Sequence, residues 1–271
     1  MKKYELTSEC IISKYGVKLF RIKALIDFGD VKAGKTGGYI EKEENLSQED
    51  NAWVCGDAWV YGNAKVYGNA KVYGNAEVCG DAEVCGDAWV NGNAKVYGNA
   101  KVNGNARVNE NAKVNGNAKV NGNAKVYENA KVYGNAWVNG NTWVNGNAEV
   151  CGDAWVNGNA KVYGNAKVNG NAEVCGDAKV CGDAWVCGDA EIRRTVEYTV
   201  HQGFGRECRT TTVFRIKNDE VGVKCGCFYG TLDEFRKKVE ETHEDSDIGE
   251  EYQLIANLAK LRSLRWKKEG R

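Results

Sequence analysis

Proton transfer near neutral pH falls most readily to histidine, and this chain of 271 residues has two, His201 and His243. A general base must lie within hydrogen-bond reach of the proton it takes. Both histidines stand outside the long central repeat, so packing or surface roles are expected for them and no catalytic residue is assigned. Eleven cysteines raise thiol or metal chemistry instead. Cys208, Cys225 and Cys227 offer a C-x-C pair, which lacks the usual C-x₂₋₄-C spacing of zinc sites. Buried free thiols are expected there, with no metal and no cofactor. The residues best suited to contact are basic and aromatic. Lys95, Lys101, Arg107, Lys113, Lys119, Lys125 and Lys131 recur every sixth position, and Trp53, Trp59, Trp89, Trp137, Trp143, Trp155 and Trp185 fall in the same phase.

The element that positions these residues is a repeat. From Asn51 to Gly188 the chain divides without insertion into hexapeptides of the form [N/D]-A-x-V-[Y/N/C]-G, and DAEIRR (Asp189 to Arg194) is a worn last unit. Position two departs from Ala only at Thr142. Position six departs from Gly at Glu110 and Glu128 before the final Arg194. Ala and Val are two residues apart, so on an extended backbone both point to one side. The residue between them points to the other side. Gly-Asn and Gly-Asp accept positive φ and turn the chain. Each unit is therefore a short strand plus a corner, and three units close an eighteen-residue triangular coil. About eight coils at ~4.8 Å make a prism of roughly 40 Å. A period of six does not hold one helical face apolar, and Gly-Asn would break a helix every second turn.

Residues eighteen apart stack. The seven basic residues then form a belt around the middle of the prism on all three faces, with acidic residues towards both ends. Trp137 should lie on Trp155, with Trp143 on an adjoining face. Cys55, Cys79, Cys85, Cys151, Cys175, Cys181 and Cys187 include no pair eighteen apart, which disfavours a disulfide ladder or thiolate wire.

The template, with Val66 followed by Ala70 and Val120 by Ala124, resembles the hexapeptide-repeat family. The resemblance implies a left-handed parallel β-helix over 51–194, an all-β solenoid. The lead-in DVKAGKTGGYIEKEENLS resembles a bacterial and phage group of such proteins catalogued as transferases of the YdcK type. Acyltransferases of the family place a histidine on the helix or on an extruded loop, at a cleft between trimer subunits. Residues 51–194 have neither histidine nor loop.

Residues 1–50 read as an N-terminal β-rich cap, which an open solenoid needs to cover its bare edge. Residues 195–271 read as an α+β module. It comprises a hairpin across Asn218-Asp219, a helix started by a Thr231/Glu234 capping box, and a second helix near Glu250 to Trp266. The stretch KCGCFYGTLDEFRKKVEETH resembles a phage-associated module. The net charge is zero, with 37 basic and 37 acidic residues, so neither membrane nor specific nucleic-acid binding is indicated. An odd cysteine count and an opening MKKYELTSEC without an apolar core point to a reduced, bacterial cytoplasmic setting.

The expectation is a non-enzymatic, phage- or prophage-encoded binding rod, homo-oligomeric and by family analogy trimeric. Ligand or partner contacts are placed at Trp137, Trp143, Trp155 and the seven belt residues. A divergent acyltransferase, a sponge for a small anionic molecule and a glycan-binding virion component are the alternatives.

Overall fold

A computed structural model of the protein describes residues 1–268. Its centre is a parallel β-solenoid with one two-residue strand per hexapeptide, from β4 (Trp53–Val54) to β27 (Glu191–Ile192). Every third strand pairs in register, so Val90 meets Val72 on one side and Val108 on the other. Three sheets result. Face I carries the rungs from Trp53, Lys71 and Trp89 onward, face II those from Trp59, Glu77 and Lys95, and face III those from Lys65, Glu83 and Lys101. The inward Ala and Val ladders are fully buried, and each valine contributes on the order of 1.5 kcal/mol or more.

The corners explain the rest of the template. Gly98 has φ +70°, and a Cβ there would lie 3.1 Å from the Gly116 nitrogen of the next coil. Asparagine side chains form amide ladders along the corners. Asn93 donates to Asn111, Asn111 to Asn129, Asn129 to Asn147 and Asn147 to Asn165. Asn165 donates to Asp183, where the ladder stops. Others likewise end on Asp153 and Asp177. A carboxylate only accepts, so Asp occupies the position where no amide need be passed on.

The N-terminal part adds a rung of its own. Strands β1 (Tyr4–Ile12) and β2 (Lys18–Ala24) form an antiparallel pair, and β3 (Thr36–Ile40) runs parallel to the Trp59 rung. With the Leu46–Val66 bridge, the eight hexapeptide coils gain a further turn, to about nine. Gly38 permits this approach, since a Cβ there would meet the Ala58 carbonyl at 2.6 Å. Trp53 keeps the outward side of its rung, as its phase implies, but is not exposed. It is buried beneath the cap against Tyr4 and Phe28, with ring centroids 6.3 and 5.3 Å away.

At the other end the last coil would expose unpaired N–H groups, and hydroxyls meet them. Lys179 N donates to Thr195 Oγ1 (3.0 Å), Cys181 N to Tyr198 Oη (3.1 Å) and Trp185 N to Thr212 Oγ1 (2.9 Å). These residues belong to a terminal unit whose sheet has four strands: β28 (Tyr198–Phe204), β29 (Arg209–Arg215), β30 (Val221–Cys225) and β31 (Phe228–Thr231). The expected hairpin is its centre. The flanking strands escaped the sequence pattern because the alternation in YTVHQGF is cut off at His-Gln-Gly and FYGT is only four residues long. Helix α1 (Leu232–His243) begins at the expected capping box, and α2 (Asp247–Lys268) packs beside it. Among the described residues no helix is long and apolar enough to cross a membrane.

Candidate active site on one solenoid face

The structure distributes the proposed contact residues over three faces and treats them differently. On face II, Lys95, Lys113 and Lys131 are bracketed by acids. Lys95 pairs with Glu77 at 2.7 Å and Lys131 with Glu149 at 2.9 Å. Glu77 sits low for a carboxyl: burial raises it, but the Lys95 and Tyr61 hydrogen bonds outweigh that. On face III, Lys101 pairs with Glu83 at 3.3 Å, and Lys119 lies 4.3 Å over the Trp137 ring. Trp137 and Trp155 stack as their spacing requires, at 5.1 Å and 3° between planes.

Face I holds Arg107, Lys125 and Trp143, and its outward column contains no carboxylate. Beyond the cap it reads Lys71, Trp89, Arg107, Lys125, Trp143, Lys161 and Lys179. Cations lie over both indoles from the rungs on either side. Lys71 and Arg107 stand 5.7 and 5.0 Å from Trp89, and Lys125 and Lys161 stand 4.7 and 4.6 Å from Trp143. Trp89 and Trp143 are three rungs apart, roughly 14 Å at the strand spacing, with Arg107 and Lys125 between them. At its N-terminal end the column runs into a cleft of about 360 Å³ lined by Asp30, Lys71, Asp87 and Trp89.

Two further residues border this column. Glu110 and Glu128 occupy the corner following face I, where the template has glycine, and both hold φ +59°. A left-handed non-glycine residue costs roughly 1–2 kcal/mol, and such strain gathers at functional sites. The nearby Tyr127 hydroxyl titrates above its usual range. Burial raises it most; Arg107 opposes, and Glu110 and Glu128 add to the rise. Arginine, tyrosine and two carboxylates thus share one electrostatic neighbourhood. The sequence marked Glu110 and Glu128 as departures from the template, and their spacing of eighteen stacks them at the corner that follows Arg107 and Lys125. Their left-handed backbone and their effect on Tyr127 come from the structure. Trp89 and Lys161 join the same site.

The histidines lie in the terminal unit. His201 is half-buried against Thr199, with its imidazole held below the usual range by burial and by Arg262. His243 lines a cavity of about 150 Å³ with Arg209, Cys225, Cys227 and Tyr252, and its ring centroid is 5.5 Å from that of Tyr252. The expectation of three buried thiols fails for two of them. Cys208 and Cys227 are exposed because each sits in a turn, and only Cys225, within β30, is buried.

No protein-family model matches the chain. Among curated proteins it is similar to one named "Uncharacterized acetyltransferase YdcK" from Escherichia coli (strain K12), at 41% identity over 61 residues. The match spans 20% of this chain and 19% of that protein. The hexapeptide register, the solenoid and this relative point the same way. The chain fits the hexapeptide-repeat, transferase-like family. The expectation of a non-enzymatic rod is overturned by the comparison, since a relative carries an acetyltransferase name and the fold is typical of hexapeptide transferases. The expectation rested on the absence of both a histidine and an extruded loop from residues 51–194. Carboxylates can also serve, and two stand beside the cationic face.

Proposed function

We propose that this hexapeptide-repeat protein is an acyltransferase whose face I takes an anionic, base-bearing acyl donor such as acetyl-CoA. The observation that carries this reading is the carboxylate-free column Trp89–Arg107–Lys125–Trp143 with Glu110 and Glu128 at its edge. Arg107 and Lys125 attract the phosphates, and Arg107 can also grip them in a bidentate manner. An aromatic base can displace a lysine from the face of Trp89 or Trp143 and stack there in its place. Glu110 or Glu128 receives the proton of the acceptor's hydroxyl or amine. The acceptor atom then bonds to the acyl carbon as the carbon–sulfur bond breaks, and the thiolate leaves and takes up a proton. The acetyltransferase name of the relative supports the reaction class.

The test is calorimetric titration of the full chain with acetyl-CoA and with CoA, followed by transfer of radiolabelled acetyl groups to amine and sugar acceptors. A thiol-reagent assay is unsuitable because the chain carries eleven cysteines of its own. Arg107→Glu and Lys125→Glu should each weaken binding about tenfold or more and flatten its salt dependence. Glu110→Gln with Glu128→Gln should retain binding and lose turnover. Wild-type protein that binds neither thioester nor free CoA at millimolar concentration would overturn the proposal.

A further inference from the structure

Helix α2 buries one face and leaves the opposite one bare. Tyr252, Ile255, Ala256, Ala259 and Trp266 pack into the terminal unit. Leu254, Leu258, Leu261 and Leu264 are 67, 43, 58 and 54% exposed. Leu254, Leu258 and Leu261 follow one another at four and three residues, the spacing of a helix-pairing seam. Monomers rarely leave such a contiguous apolar stripe in water.

The charges on the same face identify its occupant. Glu250 lies one turn before Leu254 and Arg265 one turn after Leu261, on the same line of the helix. Both are exposed, and neither reaches an ion-pair partner among the described residues. When two copies of α2 run antiparallel with Leu254 of each against Leu261 of the other, Glu250 of each meets Arg265 of the other. The two Leu258 side chains then flank the two-fold axis. This match of leucine to leucine and acid to base is self-complementary, as an isologous interface must be. The parallel arrangement would instead set Glu250 on Glu250 and Arg265 on Arg265. Arg236 from α1, held by Gln253 and Asn257, borders the stripe and leaves it open.

We propose that the protein forms a two-fold homodimer through an antiparallel pair of α2 helices, independent of the solenoid faces. One helix pair covers less than the ~800 Å² per partner of a typical stable interface, so association is concentration-dependent.

Sedimentation velocity on the full chain across about 1 to 200 μM tests this. The expected result is a monomer–dimer equilibrium that Leu258→Glu shifts to monomer by about tenfold or more in Kd. Circular dichroism and an unchanged thermal midpoint would show that this exposed position leaves the fold intact. The register is tested by charge reversal. Glu250→Arg and Arg265→Glu should each weaken the dimer about tenfold, and the double variant should restore it. A monomer throughout the range, a trimer, or a double variant no better than the singles would each overturn the proposal.

Discussion

Replacing Glu110 and Glu128 by glycine should make the protein more stable and, on the acyltransferase reading, less active. Both residues hold φ +59° in a column otherwise built of glycine, with Gly92 above and Gly146 below. Relief of left-handed strain returns roughly 1–2 kcal/mol per site. The extra freedom glycine gives the unfolded chain takes back about 0.5–1 kcal/mol. The net backbone gain is about 0.5–1 kcal/mol at each site. Removing either carboxylate also abolishes the repulsion between two like charges on adjacent rungs, up to about 1 kcal/mol at low salt, since unit charges 4 Å apart in water interact by that amount. This gain comes on top of the backbone relief in each single variant and enters the double variant only once. The double variant should therefore gain about 2 kcal/mol, which corresponds to a rise in Tm of roughly 4–8 °C for a domain of this size. The added part should shrink as salt is raised towards 1 M. Thermal and urea unfolding followed by circular dichroism measure the gain. A loss of stability in either single variant would refute the reasoning, because it would mean that the carboxylates hold the corner together rather than strain it.

Thr142 is the one departure from alanine at the inward position; it is fully buried, and its hydroxyl has no hydrogen-bond partner among the described residues. Thr142→Ala should stabilise by about 1–2 kcal/mol, read from urea midpoints. Thr212→Val removes the hydroxyl that accepts from the Trp185 N–H at 2.9 Å. It should cost about 1–2 kcal/mol and speed hydrogen exchange at that amide. His201 is held below its ordinary 6.5 in the folded state, chiefly by burial, so the unfolded chain binds the proton more readily. Its contribution to stability is therefore full above about pH 6.5 and is lost as the pH falls towards the folded value. His201→Asn should reduce the slope of stability against pH in that window, followed by urea unfolding between pH 7.5 and 5.

The hexapeptide register alone determined the solenoid. Small Ala and branched Val two apart, followed by Gly-Asn, leave one way to bury the apolar side and one place to turn, and each unit repeats that local decision. The same arithmetic put Trp137 on Trp155 and a basic belt at mid-rod. The eighteen-residue spacing also implies which belt residues have an acid on the next rung. What it could not give is the side-chain geometry, whether such neighbours pair, stack or stay apart. Lys95, Lys101 and Lys131 meet glutamates eighteen residues away, whereas Arg107 and Lys125 meet indoles. Nor could it weigh Glu110 and Glu128 as more than exceptions. Their left-handed backbone is seen only in the folded corner. Although Glu110 is close to Arg107 and Glu128 to Tyr127 in sequence, the influence of Glu110 and Arg107 on Tyr127 requires the two coils to lie side by side. The buried Trp53 and the hydroxyls that close the last coil were likewise settled by the ends of the solenoid. There the repeat gives out, and each backbone or side-chain group finds a partner from distant sequence.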